Sequence, residues 1–261
     1  MTVNADIRSV MTSSPTGSDR WRLPGGVVLI LVHDGTGRLI DLDGSISALT
    51  ESGATMLELA LREGFEPACH RLAFRYGVDA ECLRADMQVF FRELVAQKSL
   101  IPPGMTLRRR PLRRFLSWTA YPIVFLMARQ PTRWMPTKAW LLLTLIFFAT
   151  RLFGWTNAIR VWDLAGSTLM AKRAVADPDI VTAIDSVVTR TMARHLLPVS
   201  CKERALCCWV LARAGGVPAR VQLGIDLFPF GLHCWCEHES KIIADRYEGR
   251  CDRYTPLRVY G

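Results

Sequence analysis

The stretch 198–245 constrains the fold most. Pro198 breaks a helical pattern that runs from Asp179 through Leu197. Residues 200–214 read as a further helix, stopped by Gly215-Gly216. Three strand candidates follow in close succession, over 219–225, 232–238 and 241–245. A helix feeding an antiparallel meander is an α+β arrangement and excludes a doubly wound parallel sheet.

Further upstream, residues 27–32 form a β-branched run ending at Asp34-Gly35, and residues 38–43 follow, closed by Asp43-Gly44. Two such runs around a Gly-bearing turn predict a hairpin, with a short third strand over 45–49. Three helices are expected next. Thr50 or Ser52 caps the first and Gly77 stops the second. The third starts near Asp79 and sets Leu83, Met87, Phe90 or Phe91, and Leu94 at helical spacing. Pro102-Pro103-Gly104 ends the unit. The expectation is a winged-helix-like module over 22–104, a three-stranded sheet plus three helices, behind a flexible Ser/Thr/Gly-rich tail over 1–21.

Residues 105–155 read as a linker segment. It holds the basic run 108–114 and two apolar stretches, 116–127 and 139–150. Each stretch has 12 uncharged residues, short of the roughly 20 that span a bilayer, so buried core helices are expected. Trp118, Trp134 and Trp140 beside basic residues leave peripheral membrane contact open. Residues 156–261 would then form a helix-plus-antiparallel-sheet domain.

Charge separates the two halves. Residues 1–104 hold 10 Lys+Arg against 13 Asp+Glu, and residues 105–261 hold 23 against 11. A front half with net charge −3 argues against a nucleic-acid reader, because phosphate contacts need Lys and Arg. The 8 Cys are spread along the chain, and residues 1–20 carry no apolar run. Both features argue against a secreted disulfide scaffold and point to a reducing cytosol.

The chemistry-bearing residues cluster after Pro198. Ser200 and Glu203 have the spacing of a capping box, which makes Cys201 the first residue of its helix. There its sulfur lies near unpaired backbone N–H groups and the positive end of the helix dipole, and both favour thiolate. The alternative is a buried, inert Cys. On the strand over 232–238, alternation puts His233 and Trp235 on one face and Cys234 and Cys236 on the other. His233 is suited to take the thiol proton and hand it to a leaving amine. A purely structural strand His is the alternative.

Asp245 would orient the imidazole by accepting from its second nitrogen. That role depends on register. A two-residue loop at Glu239-Ser240 turns Asp245 away from His233 and favours Arg246 or Glu248. A three-residue loop, 238–240, sets Asp245 opposite His233, so the triad requires that longer loop or a bulge. Cys207-Cys208, Cys234-x-Cys236, His238 and Cys251 lack the paired spacing of structural zinc, and no Gly-rich phosphate loop with its Lys is present. No metal and no cofactor are expected.

The run CKERALCCWVLARAGGVPARVQLGI from Cys201, FPFGLHCWCE from Phe228 and KIIAD from Lys241 resembles the lasso-peptide biosynthesis B protein family. The resemblance implies a transglutaminase-like, papain-related fold with Cys201 as nucleophile, His233 as base and Asp245 as orienting acid. Lys202 and Cys234 depart from the family pattern without removing a catalytic group. Residues 22–103 resemble the leader-recognition element related to the small peptide chaperone of pyrroloquinoline-quinone biosynthesis. A fused B protein of this kind binds a precursor leader and cuts it from the core. An asparagine-synthetase-like partner cyclase then closes a macrolactam. The leader would add to the edge strand at Ile46 and Ser47 and lie against Leu83, Met87 and Phe90 or Phe91. Two other readings remain: a transglutaminase-like amidase or protease of another peptide pathway, and a non-catalytic winged-helix binding protein.

Overall fold

The apolar run at 27–32 is buried at every position, as in a strand covered on both faces. It lies inside an antiparallel sheet of β1 (Ile7–Thr12), β2 (Val27–Val32), β3 (Gly37–Asp41) and β4 (Ile46–Leu49), in that spatial order. This computed structural model describes residues 7–12, 20–105, 135–170, 179–227, 230–245, 251 and 253–260. The chain divides into two compact units, one over Ala5–Arg108 and one that takes in Arg109–Gly261.

In the first unit the expected hairpin and third strand are β2, β3 and β4. The fourth strand, β1, is a correction to the tail reading of 1–21. Its physical reason is the exposed edge of β2, whose backbone groups need partners. Ile7–Thr12 supplies them from Ile7 opposite Val32 to Thr12 opposite Val28. Met11 packs on the core, and Arg8 pairs with Glu58.

Three helices follow: α1 (Glu51–Glu63), α2 (Phe65–Tyr76) and α3 (Ala80–Ala96). Thr50 is the cap of α1, accepting from the Gly53 N–H. Gly77 ends α2 in the left-handed region, at φ 63°. Asp79 caps α3 through the Cys82 N–H. Val27, Leu29 and Leu31 share a core with Leu57, Leu72, Leu83, Met87 and Phe91. An antiparallel bridge between Arg22 and Ile101 ties the two ends of the unit together.

The second unit holds α4 (Met135–Phe153), α5 (Trp155–Met170), α6 (Ile180–Ala193) and α7 (Cys201–Ala214). Its antiparallel sheet comprises β5 (Arg220–Leu227), β6 (Phe230–His238), β7 (Lys241–Ile243) and β8 (Thr255–Tyr260), in the order β7-β6-β5-β8. α7 packs against α4, α5, α6, β5 and β6, and every residue from Glu203 to Ala214 is buried. Its two buried arginines are paired, Arg204 with Asp245 and Arg213 with Asp163. The α+β class and the helix-then-sheet order match the sequence reading.

The second apolar stretch, 139–150, lies within α4. One face is core, through Met135, Ala139, Leu142, Leu143 and Ile146. The other exposes Trp140, Leu141, Leu145, Phe148 and Leu152. Among the described residues, α4 is the helix long and apolar enough to cross a membrane, by length and composition. The basic run 108–114, the stretch 116–127, Trp118 and Trp134 lie outside the described residues.

Candidate active site

Cys201 is placed by the N-terminus of α7. Ser200 is extended, at φ −98° and ψ −178°, and the capping box with Glu203 is complete. The Glu203 carboxylate accepts from the Ser200 N–H at 2.8 Å and from its hydroxyl. Its other oxygen accepts from Thr150 Oγ1 and Arg151 Nη1, each at 3.0 Å, so α4 holds the cap. A buried carboxylate bonded at both oxygens thus fixes the helix start that carries Cys201.

His233 comes from β6, opposite Gly224 of β5. Its ring stacks on Trp235 with centroids 6.0 Å apart and meets Tyr254 at 5.2 Å. Gly224 makes this possible, because a Cβ there would lie 2.8 Å from Tyr254 Cβ and 2.9 Å from the Trp235 ring. Cys201 and His233 are hydrogen-bonded partners, and the Cys234 N–H also reaches the Cys201 sulfur.

Asp245 meets His233 by a route the register argument does not contain. The loop is the two-residue one: His238 pairs with Lys241 and Cys236 with Ile243. Glu239 and Ser240 both have positive φ, 48° and 64°, as a tight hairpin turn requires. Strand alternation alone would then point Asp245 away. β7 ends at Ile243, however, and Ala244 sits in the left-handed region at φ 55°. That kink returns Asp245 to the His233 face, with Oδ2 2.5 Å from His233 Nε2. The requirement for a longer loop is thus corrected, and the kink takes the place of the bulge that the sequence reading allowed. Arg246 and Glu248 lie outside the described residues.

Three residues that the sequence reading did not place complete the site. Arg204, one turn beyond Cys201 on α7, donates from Nη2 to Asp245 Oδ1 at 2.8 Å. Asp185 of α6 accepts the Ala244 N–H at 2.5 Å and so holds the kink. The Cys251 thiol lies 3.8 Å from Asp245 Oδ2. Arg204 shares a helix face with Cys201 by its i+3 spacing, but nothing local marks Asp245 as its partner.

The electrostatics favour a thiolate–imidazolium pair. Burial works against the thiolate. The His233 hydrogen bond, the Cys234 N–H and the charges of His233 and Arg204 outweigh it and hold the Cys201 thiol below its usual value. For His233, burial opposes the cation, but bonds to Asp245, Cys201 and Cys251 push it up to about 11. Burial drives the other way at Cys207, Cys208, Cys234 and Cys236, whose thiols are all raised.

Against this geometry, residues 142–259 match the family model described as the transglutaminase-like superfamily. No curated protein and no solved structure matches the chain. The matched stretch takes in α7, β5 to β7 and β8 up to Val259, hence Cys201, His233, Asp245 and Arg204. The superfamily is a domain type of cysteine proteases and transferases, so the chemistry it supports is acyl transfer through a cysteine.

The leader-binding candidates fall in the first unit. Ile46 and Ser47 lie on β4, an edge strand of the described sheet, and Ile46 is exposed. Leu83 and Met87 are corrected: both are buried in the unit's own core, as is Phe91, while Phe90 is half-buried against it. The physical reason is that α3 turns these positions toward β2 and α2, where apolar burial is largest. α3 still borders a cavity of about 670 Å³, lined by Trp21, Phe65, Phe91, Arg92 and Val95 among others.

The Ala244 kink yields a prediction. Ala244→Gly removes left-handed strain of about 1 kcal/mol, so it raises the melting temperature and leaves activity intact. Asp185→Ala frees the kink and lowers kcat by about 10²-fold, as misplacement of roughly 1 Å does, with KM little changed. Equal activity of wild type and Asp185→Ala in steady-state kinetics would contradict this role.

Proposed function

We propose that the chain is a leader peptidase of a ribosomally made peptide, with Cys201, His233 and Asp245 as its catalytic triad. Support comes from one observation above all: a lowered-pKa thiol at a helix start, bonded to a histidine whose far nitrogen meets a buried carboxylate.

In this reading the Cys201 thiolate attacks the scissile carbonyl and forms a C–S bond. The tetrahedral adduct collapses, the C–N bond breaks, and the leaving amine takes the proton from His233 Nδ1. Water then gives a proton to His233 and attacks the thioester, and the thiolate leaves. Asp245 keeps Nε2–H bonded throughout, and Arg204 holds Asp245. The first unit supplies substrate selection. The leader adds to β4 beside Ile46 and Ser47, and apolar leader side chains enter the cavity at Trp21 and Phe65. Holding the leader raises the local concentration of the scissile bond, on the order of mM for short links. The freed core amine then goes to a partner cyclase of the asparagine-synthetase type, which closes a macrolactam. A cytosolic setting fits this division of labour.

The test is mass spectrometry of the precursor peptide encoded beside this protein. The full chain cuts the precursor once, between leader and core, and leaves the same core without its leader intact. Cleavage of both at equal kcat/KM would overturn leader recognition, and no cleavage of either would overturn the peptidase reading.

A further inference from the structure

We propose that His233, Asp245 and Cys251 form a site for a thiophilic divalent cation of the zinc class, and that the bound ion switches Cys201 off. The second half rests on the catalytic reading of Cys201 above; the first half does not.

The donor atoms are already gathered. His233 Nε2, an Asp245 oxygen and Cys251 Sγ all lie within 4.8 Å of one another, and among the described residues this is the group of metal-ligating side chains that converges. Sγ is 3.8 Å from Oδ2, and Nε2 is 2.5 Å from it. Donors of a tetrahedral zinc site stand about 3.3–3.6 Å apart, given bonds of about 2.0–2.3 Å. Entry of the ion therefore parts Nε2 and Oδ2 by about 1 Å and draws the sulfur slightly inward.

The surroundings suit an ion of this class. One nitrogen, one carboxylate oxygen and one thiolate make a set that zinc takes, whereas calcium and magnesium prefer all-oxygen shells. Arg204 occupies Oδ1, which leaves Oδ2 directed at His233 and Cys251. Cys207, Cys208, Cys234, Cys236 and His238 stand outside the group. Three protein ligands leave a fourth position for water.

Binding releases two protons, one from the Cys251 thiol and one from His233 Nε2. The ion then occupies the nitrogen that Asp245 orients, and its pull on the ring ties His233 up. Nδ1 keeps its proton, but on a neutral, ion-held ring that is a far weaker acid than imidazolium. The leaving amine is therefore not protonated efficiently, and the step that forms the thioester stalls.

The experiment uses the full chain with Cys201→Ala, which removes the other sulfur near His233. Cobalt(II) chloride is titrated in, and the sulfur-to-cobalt charge-transfer absorption is read, then displaced with zinc chloride. The site predicts an equimolar band. Adding Cys251→Ser, or Cys251→Ala as a second variant, abolishes it and weakens zinc at least about 100-fold, the upper end of what outer-shell changes cost. Absence of the band, or its survival in both Cys251 variants while they stay folded by circular dichroism, would overturn the site. In the wild-type chain, equimolar zinc stops peptide cleavage and a chelator restores it; in Cys251→Ser the ratio of the rate with zinc to the rate with chelator stays near one, whatever the variant's own rate. Continued cleavage by zinc-loaded wild type would overturn the switch. A metal-free wild type that cuts nothing, with the band behaving as stated, would instead overturn the peptidase reading and leave the site standing.

Discussion

Cys201→Ala removes cleavage altogether, with kcat falling by about 10⁵–10⁶-fold, as loss of a triad nucleophile does. Leader affinity, read by fluorescence anisotropy, stays unchanged, because β4 and the cavity at Trp21 belong to the other unit. The variant folds normally, since alanine keeps the first helical position and the Ser200–Glu203 cap is untouched. Product mass after incubation with precursor is the check. Cleavage surviving in this variant would remove Cys201 from the chemistry.

Asp245→Asn has the next largest effect, a fall in kcat of about 10⁴-fold, the size seen when a triad carboxylate becomes an amide. An amide still accepts from one neighbour, but it no longer fixes the tautomer or balances the imidazolium. It also leaves Arg204 buried without its anion, an arrangement that costs about 3–5 kcal/mol when one partner of a buried pair is lost. Stability and rate therefore fall together. The double variant Asp245→Asn with Arg204→Gln separates them: it recovers the melting temperature and none of the rate. Recovery of both would make Asp245 a structural anchor for α7 rather than the partner of His233.

The site was legible where chemistry and local structure coincide. Ser200 and Glu203 announce the helix start, so the place of Cys201 follows from four residues. His233 on the Trp235 face follows from alternation. Asp245 was legible by type and not by register. The turn at Glu239-Ser240 takes positive φ without the Gly or Asn that signals it, and Ala244 adopts the left-handed region without Gly. Asp185 imposes that kink from 59 residues away, a tertiary effect that no local pattern carries. Arg204 reads locally as one more charge on a helix, and only the fold makes it a buried partner.

In the first unit the hairpin, its third strand and the three helices follow from turn residues and caps at Gly44, Thr50, Gly77 and Asp79. β1 does not, because Ile7–Thr12 earns its strand from the open edge of β2 and has little propensity of its own. Leu83 and Met87 show the converse limit. Helical spacing identifies an apolar face, but whether that face meets a core or a ligand is decided by what lies across from it.

Cys82 supplies an internal control for the central claim. It is exposed, and its hydrogen bond to Asp79 raises its thiol above the ordinary value. Cys201 is less exposed, and its thiol is lowered. Thiolate accumulates as pH rises through each value, so Cys201 ionises first despite its burial. The decisive measurement is the alkylation rate of each cysteine by iodoacetamide from pH 5 to 9, resolved by peptide mass spectrometry. The paired site predicts that Cys201 labels before Cys82 at pH 6, with a midpoint below the roughly 8.5 of a free thiol, and that His233→Ala moves the midpoint up. Labelling of Cys82 ahead of Cys201 across the range, with no response to His233→Ala, would contradict an activated nucleophile at the start of α7.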